Sequence, residues 1–569
     1  MAYYIQDNCV ACLKCKVECP VNAIHITKDC PAIDERVCIS CGCCAQVCKE
    51  CAPMDLNAPP EKIVFHDLVE MDCDVLVLGG GGAGMVAAAR AAERSGTKVI
   101  VVEKQHRTGG GAWYAADFKL FRSKWQKDRN LPDVMEEDMI RAMDATYWRL
   151  DPKLVRRCFE ATGEFFDWLC DNGEHVEDQF QEGHYIFDGP GGPVVPVFKK
   201  MRHGAQGGTG KFVMDQMLSM CEQRGVTILN DTAAQELLVK DKQVVGALCR
   251  DAGGMVRISC RSCVLATGSW IENQQILEKV DPKFAAMEKV RSAHRSSAYT
   301  GDGIKLAKQA GAKIDWDSFC LRLMGPLYMP ADNTPYAVFG AMTFDPSVIL
   351  INEKGERWVN EQMSSRGNFF GQAVPLRDQP HGVSFKIFDA ACIENAVKRS
   401  RSDTQAGPFP MPPLPEKWEE DINGALTEYS FAFKKADSIA ELAEICGINP
   451  EALKKTVERY NQMCDAGCDT DYCKTKEGLT ALRKAPFYAL RCTMATDGAF
   501  GGVPVNARMQ AYAEDGGLIK KLYVTGDFAS GRFINQGGVK VQVINDLAWA
   551  FASGYIAGIS AAEDLEKTE

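Results

Sequence analysis

Residues 74–84 read Asp74-Val75-Leu76-Val77-Leu78-Gly79-Gly80-Gly81-Gly82-Ala83-Gly84. Asp74 to Leu78 is a short, β-branched apolar run, the composition of a parallel strand buried on both faces. Gly79 to Gly84 is a turn, and Met85 to Glu93 is alanine-rich and helical. A second strand runs from Lys98 to Val102 and ends at Glu103. Gly79, Gly81 and Gly84 form G-x-G-x-x-G between strand and helix. Such glycines allow a tight turn, close approach of backbone to a pyrophosphate, and helix-on-strand packing. The helix N-terminus offers unpaired N–H groups and a positive dipole end to phosphate. The expected cradle is therefore Gly79, Gly81, Gly82, Ala83 and Gly84. Glu103 stands 19 residues after Gly84, placed to accept hydrogen bonds from a ribose diol. The competing reading is an ordinary glycine-rich strand-to-helix turn. Strand, turn, helix and acid in this order favour a dinucleotide.

Upstream, eight cysteines fall in two matching runs. Cys9, Cys12, Cys15 and Cys19, followed by Pro20, read C-x2-C-x2-C-x3-C-P. Cys38, Cys41, Cys44 and Cys48 repeat the spacing, with Lys49 in place of the proline. Zinc knuckles supply two cysteines each across a longer gap, so four thiolates in eleven residues point to iron instead. The doubled run resembles bacterial ferredoxins with two [4Fe-4S] clusters. That resemblance implies one centre on Cys9, Cys12, Cys15 and Cys48 and another on Cys38, Cys41, Cys44 and Cys19. Cys30, Cys43 and Cys51 receive no role.

The chain has 569 residues, enough for several domains. Its formal net charge of -11 disfavours nucleic acid as a partner. Of 25 cysteines, eleven lie in the first 51 residues and fourteen are scattered beyond. Scattered thiols beside cluster motifs argue for a reducing compartment. Met1 to Gln6 lacks the basic and apolar regions of a signal peptide, and no apolar run is long enough to span a bilayer. The expected setting is the cytoplasm of an anaerobe. Pro53, Pro59 and Pro60 mark a semi-rigid linker.

Further motifs resemble the fumarate reductase and succinate dehydrogenase flavoprotein family, in order, across about 72–569. After Glu103 and Lys104, the patch Gly109-Gly110-Gly111-Ala112 is similar to its second flavin-contacting loop. Val264-Leu265-Ala266-Thr267-Gly268 resembles its strand-and-turn ATG motif, and Thr300-Gly301-Asp302-Gly303 its TGDG motif. Gly355-Glu356-Arg357-Trp358-Val359-Asn360-Glu361 resembles its G-x-R-F-x-N-E segment. Pro486-Phe487-Tyr488-Ala489 and Gly501-Gly502 look like its return from capping to flavin domain. Leu522-Tyr523-Val524-Thr525-Gly526-Asp527 is similar to its C-terminal FAD segment, where the acid binds the ribityl chain. The resemblance implies FAD as the dinucleotide. It adds Lys104, Gly109, Gly110, Gly111, Ala112, Ala266, Thr267, Gly268, Asp302, Gly526 and Asp527 to the cofactor-binding set. The second loop has no histidine, so the flavin is expected to be non-covalent.

The implied fold class is α/β: a doubly wound FAD-binding domain with an inserted α+β capping domain, behind a small α+β ferredoxin-like domain. The expected boundaries are 1–52 for the ferredoxin-like domain and 53–70 for the linker. Residues 71–344 and 491–569 form the FAD domain, and 345–490 the cap. Substrate is expected between cap and flavin, where closure excludes water.

The family's fumarate-specific residues are missing. Its proton-donating arginine falls at Ile393, within Phe388-Asp389-Ala390-Ala391-Cys392-Ile393. Its H-x-M-G-G-like histidine falls at Gly498, before Ala499-Phe500-Gly501-Gly502. Its H-P-T motif has no counterpart near Phe319 to Leu327, and its late arginine none in Asn535 to Lys540. A dicarboxylate needs such cations, because an unpaired buried carboxylate is costly. The remaining catalytic candidates are Glu361, Arg366 and Tyr328 from the cap and Tyr488, Arg532, Lys540 and Gln542 from the flavin side. Lys540 is expected near flavin N1. Cys464, Cys468 and Cys473 fit no familiar cluster spacing.

The leading expectation is a reductase of an activated C=C bond, other than that of fumarate, fed by its own ferredoxin domain. A dehydrogenase running in reverse, an adenylylsulfate-reductase-like enzyme, and an electron-transfer subunit of a larger complex are the alternatives. The expected partners are a small-molecule substrate and a protein electron donor or acceptor, with oligomerisation allowed.

Overall fold

The computed structural model describes residues 3–5, 14–17, 23–26, 31–34, 44, 48, 53–55, 68–105, 107–115, 117–173, 181–185, 195–199, 209–251, 253–287, 299–327, 336–363, 372–402, 417–531, 533–536, 539–542 and 546–566.

Buried apolar strands build the central sheet. Leu68–Leu78 lies between Val99–Val102 and Met255–Leu265, and Thr227–Leu229 and Leu518–Val524 extend the sheet on the two sides. These five run parallel. Val75 to Leu78 and Val99 to Val102 are buried along their whole length, as expected of strands covered on both faces. Antiparallel strands Gln243–Arg250, Ala233–Lys240 and Gln510–Tyr512 complete eight. Helix Gly82–Ala91 follows the glycine turn directly, with Gly81 as its N-cap. It thus starts ahead of the expected Met85, at the residues that carry the turn.

Helix Asp546–Glu563 lies against Gly82–Ala91 at backbone contact distance. A Cβ on Gly554 would stand 2.3 Å from the Ala83 carbonyl oxygen, and one on Gly558 2.6 Å from that of Ala87. The two glycines, one turn apart, let the last helix clamp the dinucleotide helix onto the sheet.

A second core holds Val338, Phe339, Ile387, Phe388, Ile393, Tyr429, Tyr460 and Tyr488 among others. It begins at Val338 rather than at 345 and runs to Cys492. Its sheet includes Ile349–Ile351, Val383–Asp389, Phe433–Ala436 and Phe487–Phe500. Strand Phe487–Phe500 is 14 residues long. Its first half packs in the second core, while Met494 and Ala499 pack in the first. The fold is the expected α/β architecture with an insertion.

At the N-terminus, Tyr3–Ile5 pairs with Pro53–Asp55, and Ile24–Ile26 with Pro31–Ile33, both antiparallel. Pro53–Asp55, expected in the linker, is thus a strand of the N-terminal domain. Leu68, also expected in the linker, begins the central strand. Cys15, Ile24 and Cys44 share a small core with Ile5 and Ile33. No helix among the described residues is long and apolar enough to cross a membrane.

Candidate functional site

The glycine turn is fixed by space. Gly79 has φ +109°, and a Cβ there would lie 2.3 Å from the Ala266 carbonyl oxygen. A Cβ on Gly84 would lie 1.9 Å from the Gly79 carbonyl oxygen. Gly79 and Gly84 therefore hold strand, turn and helix together. Gly81 differs: a Cβ there would meet nothing within 4 Å. Its open face lies at the helix N-cap, where a pyrophosphate needs close backbone approach.

Glu103 closes the turn from the side. Its Oε2 accepts the Gly80 amide at 2.7 Å and its Oε1 accepts the Gln105 amide at 2.8 Å. The second glycine loop docks on the first: the Gly109 amide donates to the Gly80 carbonyl at 2.8 Å, and Gly81 bridges Gly109. Gly109 and Gly110 have φ of +122° and +49°, which glycine alone adopts without strain. Helix Thr209–Gln223 supports this loop through the Gly210 amide, which donates to the Ala115 carbonyl at 2.9 Å. A Cβ at Gly210 would stand 1.7 Å from the Ala112 carbonyl oxygen. Sequence reading missed Gly210, which carries no motif.

The ATG and TGDG segments meet beside the turn. The Ala266 amide donates to the Leu78 carbonyl at 2.8 Å. Thr267 presents a buried Oγ1 with no hydrogen-bond partner, and Gly268, at φ +69°, opens onto space free of protein atoms within 4 Å. Lys104 and Asp302, both assigned to cofactor binding, pair at 2.7 Å. Thr300 links them, accepting from Lys104 Nζ at 2.7 Å and donating to Asp302 at 2.8 Å. On the far side the Thr525 hydroxyl donates to Ser553 Oγ at 2.6 Å, the Gly526 amide donates to the same oxygen at 3.1 Å, and Trp549 Nε1 donates to the Gly526 carbonyl at 2.8 Å. This bracket sets half-buried Asp527 in a short 3-10 turn. The orphaned Thr267 hydroxyl, the open Gly81 face and the positive-φ glycine loop form a cradle that fits a bound dinucleotide.

Arg366, Arg532 and Tyr328 lie outside the described residues. Lys540 and Gln542 belong to strand Val539–Gln542, in which Lys540 is registered with Asn535; their side chains are outside the described set. Tyr488 is buried in the second core, with its ring stacked on Phe388 at 5.4 Å and on Phe433 at 5.9 Å. Glu361 accepts from Arg357 Nε at 2.9 Å and Nη2 at 2.8 Å, and from the Leu350 amide at 3.2 Å. Arg357 also reaches Asp469 at 2.9 Å, and Lys474 stands 3.6 Å from Glu361. Burial opposes ionisation of Glu361, but Lys474 and Arg357 outweigh it and hold the carboxyl below its usual range. Tyr488 and Glu361 thus serve packing and a buried charge network here. The sequence motif around Arg357 and Glu361 is the visible half of that network; Asp469 and Lys474 carried no signal.

Of the eight expected cluster ligands, Cys15 and Cys44 are buried together, and the Cys48 amide donates to the Cys44 carbonyl at 3.1 Å. Cys9, Cys12, Cys19, Cys38 and Cys41 lie outside the described residues. Cys464 is half-buried, whereas Cys468 and Cys473 are exposed.

Comparisons with known proteins identify the family. The 4Fe-4S binding domain family matches residues 2–25. The vinyl phenol reductase of Lactiplantibacillus plantarum is 26% identical over 482 residues, spanning 82% of this chain and 92% of its own. The NADH:fumarate oxidoreductase of Klebsiella pneumoniae is 25% identical over 474 residues, which is 82% of this chain but 45% of that protein. The 3-ketosteroid delta1-dehydrogenase of Sterolibacterium denitrificans shares the fold at a TM-score of 0.66 and 19% identity, covering 87% of this chain and 100% of that one. The FAD binding domain family matches residues 74–538, most of the chain and all of the cradle, so the protein belongs to that family and is an FAD-dependent oxidoreductase.

Proposed function

We propose that the protein reduces an activated carbon–carbon double bond in a neutral or singly charged substrate, such as an aryl-acrylate, an enone or a vinyl-arene. The reading is carried by the coexistence in one chain of the FAD cradle and an N-terminal 4Fe-4S match. The vinyl phenol reductase relative supports the choice of bond. When bound, FAD supplies a hydride to one carbon, and two [4Fe-4S] clusters supply its electrons singly.

The chain's own residues do the rest. Gly81 and the helix behind it receive the pyrophosphate, and Glu103 and Asp527 take the ribose and ribityl hydroxyls. Arg532 or Lys540 donates to the substrate carbonyl or ring and stabilises the anion formed when hydride arrives. Such a donor is worth roughly 2 to 4 kcal/mol of barrier. Tyr488 and Glu361 leave this role because the first is packed in the second core and the second is held in the Arg357 ion-pair network.

Two positions disfavour a dicarboxylate. Ile393 is fully buried in the second core. A Cβ on Gly498 would lie 2.4 Å from the Phe500 ring, which fills the space a larger residue needs. The test is anaerobic turnover of a cinnamate, a vinyl phenol, an enone and fumarate with a reduced one-electron donor. Reduction of one of the first three and not of fumarate is expected. Iron analysis on the same protein should give about eight atoms per chain; no reduction of any unsaturated compound sinks the reading.

A further inference from the structure

We propose that the groove between helices Gln274–Val280 and Asp302–Gln309 is a binding site for a small molecule that carries a pyrophosphate group, such as a nucleoside diphosphate. Such a site is independent of the double bond that the enzyme reduces.

The groove has a volume of about 680 Å³, within the roughly 300–1,000 Å³ of small-ligand pockets. Three exposed lysines line it: Lys279 from the first helix, and Lys305 and Lys308 from the second. Half-buried Trp316 lines it too. Lys279 Nζ stands 3.3 Å from the centroid of the Trp316 ring, and Lys308 Nζ 5.6 Å from it. Cation–π attraction thus gathers two ammoniums on one indole. The indole is itself held from behind. It stacks on Phe319 at 4.5 Å, and Phe319 packs on Trp270 at 5.4 Å.

Ammoniums gathered this way repel one another unless an anion joins them. Among the described residues no carboxylate pairs with Lys279, Lys305 or Lys308. The acids of the two helices are engaged elsewhere. Glu278 accepts Gln274 Nε2 at 3.0 Å, and Asp302 pairs with Lys104 at 2.7 Å. The chain as a whole carries a formal net charge of -11, so three lysines left to one groove stand out. A pyrophosphate group brings at least two negative charges and several acceptor oxygens, which lysines bind as point charges. Ile276 and Ile304 line the same groove and offer apolar surface to a ribose or base.

The test uses the FAD-loaded holoprotein, purified anaerobically. Calorimetric titration with ADP, inorganic pyrophosphate, adenosine and sulfate, at one ionic strength, reads binding. ADP and pyrophosphate should each bind with FAD retained, and adenosine and sulfate should not. ADP binding tighter than pyrophosphate identifies a nucleotide as the ligand; pyrophosphate binding as tightly or more tightly identifies the free anion. Lys279→Gln and Lys308→Gln should each weaken binding about tenfold, the scale of a lost hydrogen bond to a charged group. Both variants should melt like wild type and keep their FAD. Four results each overturn the site: no binding of ADP or pyrophosphate, adenosine or sulfate binding as strongly as pyrophosphate, unchanged binding by the combined Lys279→Gln, Lys305→Gln and Lys308→Gln protein, or binding only with release of FAD.

Discussion

Glu103 and Gly80 are joined by a 2.7 Å hydrogen bond from the Gly80 amide to Glu103 Oε2. The acid at the end of the second strand thus shapes the glycine turn that lies before it. The Gln105 amide takes the other carboxylate oxygen at 2.8 Å. Glu103 orders the turn through both of its carboxylate oxygens.

Glu103→Ala should therefore weaken FAD more than loss of a ribose contact alone. Removing an acceptor from a buried amide costs about 1–3 kcal/mol, or roughly 5- to 150-fold in affinity. Titration of apoprotein with FAD, followed by flavin fluorescence, measures it. Unchanged affinity would remove Glu103 from the site.

Gly81 and Gly84 should behave oppositely. Gly84→Ala drives a Cβ to 1.9 Å from the Gly79 carbonyl oxygen and should destabilise the fold itself. Gly81→Ala meets no protein atom within 4 Å, and its φ of -73° suits alanine. The Gly81→Ala apoprotein should melt like wild type yet lose FAD affinity, because the methyl occupies the pyrophosphate's approach. Equal melting losses in the two variants would contradict this.

The cradle was legible in the sequence because close backbone approach demands glycine, and glycine leaves a mark. Gly79 and Gly84, read from the spacing, stand where a Cβ would strike backbone, and Gly109 and Gly110, read from the resemblance, take positive φ. The ion pair between Lys104 and Asp302 was invisible in the sequence, since 198 residues separate them. Ser553 and Trp549, which hold the Gly526 turn, gave no signal because ordinary helical residues carry that task. Tyr488 misled for the converse reason. Its motif position suggested chemistry, while the rings of its cross-strand neighbour Phe388 and of Phe433 hold it in an aromatic stack. The N-terminal boundary failed because Pro53 reads as linker, yet an edge strand tolerates proline.

The buried Arg357 network should give the second domain an acid-sensitive stability. Burial alone would raise the Asp469 carboxyl, but hydrogen bonds from Arg357 and from the Tyr472 and Asp471 amides hold it at about 2, against an ordinary 3.8. A depressed folded value stabilises above the unfolded value and is lost as pH falls through the folded one. Stability should thus decline between about pH 4 and pH 2. Asp469→Asn should flatten that decline. Arg357→Met leaves buried Asp469 without its cation and Glu361 with Lys474 alone, and should cost about 3–5 kcal/mol at neutral pH. Denaturant titration across pH reads both effects.

The flavin should leave the protein intact on acid precipitation. The second loop offers Gly109, Gly110, Gly111 and Ala112, with no histidine to form a flavin bond. Its approach to Gly81 depends on the small residues, because a Cβ at Gly110 would stand 3.2 Å from the Gly81 Cα. Yellow colour should appear wholly in the supernatant, and a flavin-bearing peptide in the pellet would refute non-covalent binding.

Fumarate should be reduced slowly or not at all, even with a strong artificial donor. Two carboxylates entering a closed site need cations to replace their water. The positions corresponding to the family's proton-donating arginine and to a substrate histidine are Ile393 and Gly498. Ile393 is buried among Phe388, Cys392 and their neighbours in the second core. Installing an arginine there would place a charge in an apolar core, so Ile393→Arg should destabilise the domain without creating activity. Gly498→His should likewise fail, because the Phe500 ring stands 2.4 Å from the would-be Cβ. The Gly498 amide also donates to Thr496 Oγ1 at 3.2 Å, and the Thr496 hydroxyl returns a bond to the Gly498 carbonyl at 2.9 Å. That closed loop fits a small residue. Relieving the ring with Phe500→Ala beside Gly498→His should restore folding sooner than fumarate turnover, since the arginine is still absent. Anaerobic assays of wild type and these variants, with a cinnamate as the positive control, decide the matter. Fumarate turnover by the wild type at a rate equal to the best neutral or singly charged substrate would falsify the inference drawn from Ile393 and Gly498.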